Sequence, residues 1–183
     1  MLQTGKIMIQ KRENTNSNAN NKLRRLGYVP GAVSSRGKAS ISVSVKAEDL
    51  RKGIDVYGRN ALFDLFLEGE KNCTVMIKEI HKHPVKEEML HVDFQEVFLN
   101  EDIRADLGIR IKGIELIESK RLLLMRHLDF IPVKGLPQLI PDEITIDISN
   151  LEAGQNINIG DISFPDGIIP EMDNGQVVVS VTV

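Results

Sequence analysis

The run His81-Lys82-His83-Pro84-Val85-Lys86-Glu87-Glu88-Met89-Leu90-His91-Val92-Asp93-Phe94 is where the architecture of the chain can first be read. His81 and His83 lie two residues apart, as do His91 and Asp93, and in extended chain residues at that spacing project from one face. Pro84 has no backbone donor and Val85-Lys86-Glu87-Glu88 is polar enough for a loop, so the stretch predicts a β-hairpin. Such a hairpin can present three imidazoles and a carboxylate together, as a metal site or as a polar platform for a partner. Spacing does not choose between them, because a metal needs convergent lone pairs and a partner behind each ligand. Edge histidines beside a turn are also ordinary solvated surface.

Working back from the hairpin, 73–80 and 62–67 read as strands on either side of the glycine-containing connection 68–71. Residues 47–56, with Leu50 and Ile54 four apart and acids near the start, predict a helix that ends at Gly58. Ile41-Ser42-Val43-Ser44-Val45 alternates as a half-buried strand does, and 29–33 is a second extended run. A short helix over 19–26, stopped by Gly27, would turn Leu23 and Leu26 inward and leave Lys22, Arg24 and Arg25 available to a ligand. Before it, Asn14-Thr15-Asn16-Ser17-Asn18 is rich in side chains that compete for backbone hydrogen bonds and predicts a loop, entered from a first strand over 5–10 that ends in Lys11-Arg12.

Beyond Gln95 the pattern begins again, with extended runs at 103–111, 129–134, 143–148, 155–159 and 176–183 joined by Gly- and Pro-rich turns. Leu122-Leu123-Leu124-Met125 is either a short helix or a buried strand, since so short an apolar run has no readable period. The expectation is a mainly β (α+β) chain of two domains, 1–95 with two small helices and 96–183 strand-rich.

The formal net charge of -3 is unevenly spread. Through Lys38 the chain carries Lys6, Lys11, Arg12, Lys22, Arg24, Arg25, Arg36 and Lys38 against Glu13 alone, whereas no Lys or Arg follows Lys134. A basic first part suits a polyanion and an acidic second part repels one. No signal peptide or membrane span is expected, and the lone Cys73 in a strand-like run predicts a buried structural thiol and a reducing cytoplasm. Walker-type phosphate loops, dinucleotide fingerprints and nucleophile elbows are missing from the sequence, which disfavours an enzyme. No cofactor, resident metal or small-molecule substrate is expected.

Leu23-Arg24-Arg25-Leu26-Gly27-Tyr28-Val29-Pro30-Gly31, His83-Pro84-Val85-Lys86 and His91-Val92-Asp93-Phe94 together resemble the bacterial large-subunit ribosomal proteins of the twenty-fifth family, which bind 5S ribosomal RNA. Leu136-Pro137-Gln138-Leu139-Ile140-Pro141, Ile146-Asp147-Ile148-Ser149-Asn150-Leu151 and Phe164-Pro165-Asp166-Gly167 resemble the extra domain of that family's long form, also called general stress protein CTC. The resemblance implies an N-terminal barrel-like domain that engages the loop E region of 5S rRNA, a second β domain outside the principal RNA contact, and a place on the large ribosomal subunit in the cytoplasm. By motif position it implies RNA contacts at Arg12, at Arg24 or Arg25, at His91 and Asp93, and more weakly at Lys22. For Asp93 a hydrogen bond within the barrel or turn is the equal alternative.

Two departures from the family pattern bear on binding. Ser34-Ser35 stands where the family usually has Tyr-Gly, so the contact position is Ser34 and a stacking ring is lost; Asn16-Ser17-Asn18 replaces a Gly-Lys-Gly loop and its phosphate contact. Either affinity falls or the contacts move, with Tyr28 as the candidate ring. A relative with weakened RNA binding that acts as a stress-associated interaction protein is the alternative function.

Overall fold

Alternation along the backbone builds the first half of the protein. In the computed structural model, which describes residues 4–182 apart from 14, 38, 68–71 and 87, strand β1 (Gly5–Lys11) buries Ile7 and Ile9 and turns Lys6, Met8 and Gln10 outward. Helix α1 (Ser17–Arg25), strands β2 (Tyr28–Ser34) and β3 (Ile41–Lys46), helix α2 (Ala47–Tyr57), and strands β4 (Phe63–Leu67), β5 (Cys73–Lys82) and β6 (Met89–Glu96) follow. The strands close into a barrel in the order β1-β3-β2-β6-β5-β4. Parallel pairing of β1 with β4 and of β2 with β6 completes the ring, so that every strand has a neighbour on both sides. Ile7, Val29, Val43, Val45, Phe63, Leu65, Val75, Val92 and Phe94 fill the interior. Gly31 is required where β2 passes β6, because a Cβ there would stand 2.6 Å from the Val92 carbonyl oxygen.

The expected strands and both expected helices form, with two differences at α1. The helix begins inside the asparagine-rich stretch predicted as loop: Asn16 is its N-cap, and its Oδ1 accepts from the Ala19 amide at 2.9 Å. The same capacity to bond nearby amides that argued for a loop is what starts a helix when the next residues can continue it. Leu26 does not turn inward but is exposed, and no residue of α1 is fully buried. The predicted connection 68–71, together with Asn14, Glu87 and Val183 of other predicted segments, lies outside the described residues.

The chain divides into two compact units, Met1–Glu101 and Asp102–Val183. The division falls beyond Gln95 because Glu96 still pairs with Val75 and the Val97 amide donates to the Thr74 carbonyl at 3.0 Å. The second unit holds β7 (Ile103–Lys112), α3 (Ile114–Ser119), β8 (Leu123–Arg126), β9 (Phe130–Gly135), β10 (Glu143–Asp147), β11 (Asn156–Asn158), β12 (Ile168–Pro170) and β13 (Val177–Thr182). Its strands make two sheets, β10-β7-β9-β12 and β11-β13-β8, over a core that includes Leu107, Ile131, Val133, Ile148 and Val179. The fold is mainly β, as expected. Of the two readings of 122–125 the strand is the one that forms, but it is not buried: the segment enters β8, a strand at the end of its sheet with Leu123 and Met125 exposed. Pairing with β13 fixes its conformation, which four apolar residues could not announce by themselves.

Candidate nucleic-acid interface

The hairpin of β5 and β6 forms, but not with three imidazoles together. The turn closes with the His83 amide donating to the Glu88 carbonyl at 2.8 Å, and His83 Nδ1 accepts from the Val85 and Lys86 amides at 3.2 and 3.3 Å. His83 is therefore a turn-forming residue. The register shifts between Ile77 and Glu79, so that Glu79 faces Asp93 and His81 faces His91 across the strands. A bulge of this kind turns side chains to the other face of a strand, and here it sets Glu79 and His81 beside Asp93 and His91 on the outer surface, opposite the buried Val92 and Phe94. His91 Nδ1 lies 3.4 Å and His81 Nε2 3.7 Å from Asp93 Oδ2, and the two rings are 6.1 Å apart.

Two of the expected RNA-contacting arginines are largely engaged by the protein itself. Arg12 Nε donates to the Val43 carbonyl at 2.6 Å, Nη1 to Asn20 Oδ1 at 2.5 Å and Nη2 to the Gly31 carbonyl at 3.2 Å. One guanidinium thus ties the end of β1 to β3, α1 and β2. Partial burial, and then the charge of nearby Arg24, hold its pKa below the ordinary arginine value, though it stays a cation at neutral pH. Arg24 Nε and Nη2 both donate to the Leu90 carbonyl, at 3.1 and 2.9 Å, and Nη1 donates to Asn21 Oδ1 at 2.9 Å. This fastens α1 to β6 at the residue next to His91. Lys22 and Arg25, three apart on α1 and so neighbours along one stripe, are exposed and have no ionic or hydrogen-bonding partner among the described residues.

Strand β2 supplies the remaining expected position. Ser34 stands beside Gln95 and Ala32 beside Asp93 in the parallel pairing with β6. Ser34 Oγ donates to the Phe94 carbonyl at 3.1 Å, so the small hydroxyl turns onto the sheet and offers no stacking surface. Tyr28, the other candidate ring, is half-buried at the opposite end of β2, paired with Lys46. The structure therefore brings His91 and Asp93 together with α1, and places Ser34 further along the same strands. Sequence reasoning did not pick out Glu79 or the strut role of Arg12. Glu79 depends on the bulge, and the Arg12 contacts span up to 31 residues of sequence; no local pattern marks either.

A family model described as the Ribosomal L25p family matches residues 7–94, and one described as Ribosomal protein TL5, C-terminal domain, matches residues 102–183. Over 181 residues the chain is 41% identical to the large ribosomal subunit protein bL25 of Lachnoclostridium phytofermentans, an alignment that covers 99% of this chain and 94% of that protein. It is 36% identical over 181 residues to the protein of the same name from Thermoanaerobacter pseudethanolicus, covering 98% and 89%. Identity to the large ribosomal subunit protein bL25B of Symbiobacterium thermophilum is 33% over 170 residues, covering 92% and 88%.

Proposed function

As the chain belongs to the ribosomal L25p family, in a form that carries the TL5-type C-terminal domain, we propose that its N-terminal unit binds 5S ribosomal RNA at the loop E region. The family makes the protein a structural constituent of the bacterial large ribosomal subunit, associated with the ribosome in the cytoplasm, and not an enzyme. The observation that carries the RNA reading is the fastening of α1 to β6: Arg24 holds the helix at the Leu90 carbonyl, so a helix bearing exposed Lys22 and Arg25 sits beside the outward His91 and Asp93.

The roles divide by chemistry. Lys22 and Arg25 hold phosphates directly. Arg12 and Arg24 position α1 and add positive field, with part of each guanidinium left to reach a phosphate. His91 donates to a phosphate or a base edge, and Asp93, which cannot neutralise phosphate, accepts from a base amino group or a ribose 2′-hydroxyl. Filter binding of the full chain to 5S rRNA across a salt series tests this. With about four phosphates contacted, the logarithm of affinity falls against the logarithm of salt with a slope of roughly 3 to 4 in magnitude; absence of binding at low salt overturns the reading.

The hydroxyl of Ser34 turned onto the sheet favours one second reading, a stress-associated relative with weakened RNA affinity that acts as an interaction protein. Sedimentation of cell extract separates the two: the protein comigrates with large subunits under the first reading and stays with the soluble fraction under the second.

A further inference from the structure

The geometry points to a divalent transition-metal site on the outer face of the β5–β6 hairpin, with His81 Nε2, His91 Nδ1 and Asp93 Oδ2 as ligands and Glu79 orienting His81. The three ligand atoms lie within 4.8 Å of one another. The His91–Asp93 and His81–Asp93 separations, 3.4 and 3.7 Å, are long for hydrogen bonds. The first matches the edge of a coordination polyhedron and the second lies just beyond it, since tetrahedral bonds of about 2.0–2.2 Å place neighbouring donors about 3.3–3.6 Å apart. The remaining edge, between the two rings, closes by rotation of His81, whose side chain is 51% exposed.

Two further features point to a cation there. His81 Nδ1 stands 3.6 Å from Glu79 Oε1, outside hydrogen-bond range as the chain stands, and a small turn of the exposed ring brings it to the carboxylate that would accept the second ring N–H of a metal-bound histidine and fix its tautomer. Glu79 and Asp93 also stand directly opposite each other across the strands, where like charges repel and a bound cation relieves the repulsion. Two imidazoles with one carboxylate suit zinc and its late first-row neighbours; magnesium and calcium prefer all-oxygen sets. Three protein ligands leave a fourth position to water. The metal cross-links β5 to β6 across the bulge.

Calorimetric titration of the full chain with Zn2+ alone, paired with thermal melts, tests the site. Expected are a single saturable equivalent and a Zn2+-dependent rise in Tm, because an ion that binds only the folded protein stabilises it. His81→Ala abolishes both. Glu79→Gln keeps the stoichiometry and weakens binding by about 10- to 100-fold, the usual effect of removing the partner behind a metal-bound histidine. His127→Ala, in the second unit, changes neither. Lack of saturable binding, or binding in His81→Ala equal to that of the unaltered chain, overturns the inference. Since His81 is not among the proposed RNA contacts, His81→Ala retains its 5S rRNA affinity when both proteins are compared free of Zn2+, and a failure of the RNA reading leaves the zinc titration unchanged.

Discussion

Arg12 and Arg24, in the first unit, end on main-chain carbonyls and asparagine side-chain oxygens, whereas Arg104 and Arg110 in the second end on the carboxylates of Glu171 and Glu143, and Arg126 adds the Asp129 carboxylate to the carbonyls of Ile109, Leu128 and Asp129. Lys134 likewise reaches Asp102 at 3.9 Å. A carbonyl occupies a donor without cancelling its charge, so the face built on α1, β2 and β6 keeps its cations as cations. A carboxylate does cancel the charge. Exposed ion pairs of the second kind add at most about 1 kcal/mol each to stability, but they remove attraction for a polyanion. The charge asymmetry visible along the sequence is thus deepened by where the side chains end. The first unit is not wholly of one kind: Arg36, in the turn after β2, pairs with Glu101, and Lys52 pairs with Glu48 on α2.

The comparison breaks most clearly if the units are separated. Residues 1–101, which close their own barrel, should fold alone and keep most of the 5S rRNA affinity, while 102–183 should bind at least about a hundredfold more weakly, a difference of about 3 kcal/mol. Circular dichroism with filter binding on each fragment checks this, and comparable binding by 102–183 would remove the distinction. Next in size is Arg12→Ala, which leaves the Val43 and Gly31 carbonyls and the Asn20 side chain without this donor. Stability should fall by about 2 kcal/mol, seen as a lower urea midpoint, and Arg12→Lys should not restore it because an ammonium cannot reproduce the planar fork.

Lys22→Ala with Arg25→Ala sharpens the contrast between strut and contact. The pair should leave stability within about 0.5 kcal/mol while lowering RNA affinity and reducing the salt slope by about 1 for each cation removed. If the double variant destabilised the barrel as Arg12→Ala does, the two classes would collapse into one. The smallest effect belongs to Ser34→Tyr, which gives up the bond to Phe94 and adds a ring. A gain of up to about 1 kcal/mol in 5S rRNA binding, with the salt slope nearly unchanged because the ring is neutral, is the expected result. Equal or weaker binding by a folded Ser34→Tyr protein would place stacking elsewhere and strengthen the stress-associated reading.

Much of the first unit was legible because its strands are half-buried. The alternation in Gly5–Lys11 separates core from solvent residue by residue, whereas in Ile41–Lys46 the alternation misplaces Ser44, which is buried together with Val43 and Val45; the hairpin could be read from Pro84 and its polar neighbours. His91 and Asp93 were legible as a pair on one face. Of their neighbours on β5, His81 was read with them but Glu79 was not, because the bulge at Ile77 and Glu79 resets the alternation by one residue and decides which side chains of β5 join them. His83, equal to His81 in spacing, went instead to the turn. In the second unit α3 and β12 escaped notice, as elements of six and three residues have too few positions to show a period.

What the sequence determined by itself was local: which runs are extended, where they turn, which residues alternate into a core, and the ordered motifs that carry the family. The tertiary structure decided which strands are neighbours, and with that the fate of the long side chains. Parallel pairing of β2 with β6 brings Gly31 against Val92, and the α1–β6 contact puts the Leu90 carbonyl within reach of Arg24, 66 residues away. Strand propensity and alternation act over a few residues, whereas the acceptor that a guanidinium finds depends on how the ring closes. That is why Arg12 and Arg24 looked alike to Lys22 and Arg25 in sequence and differ from them in the folded protein.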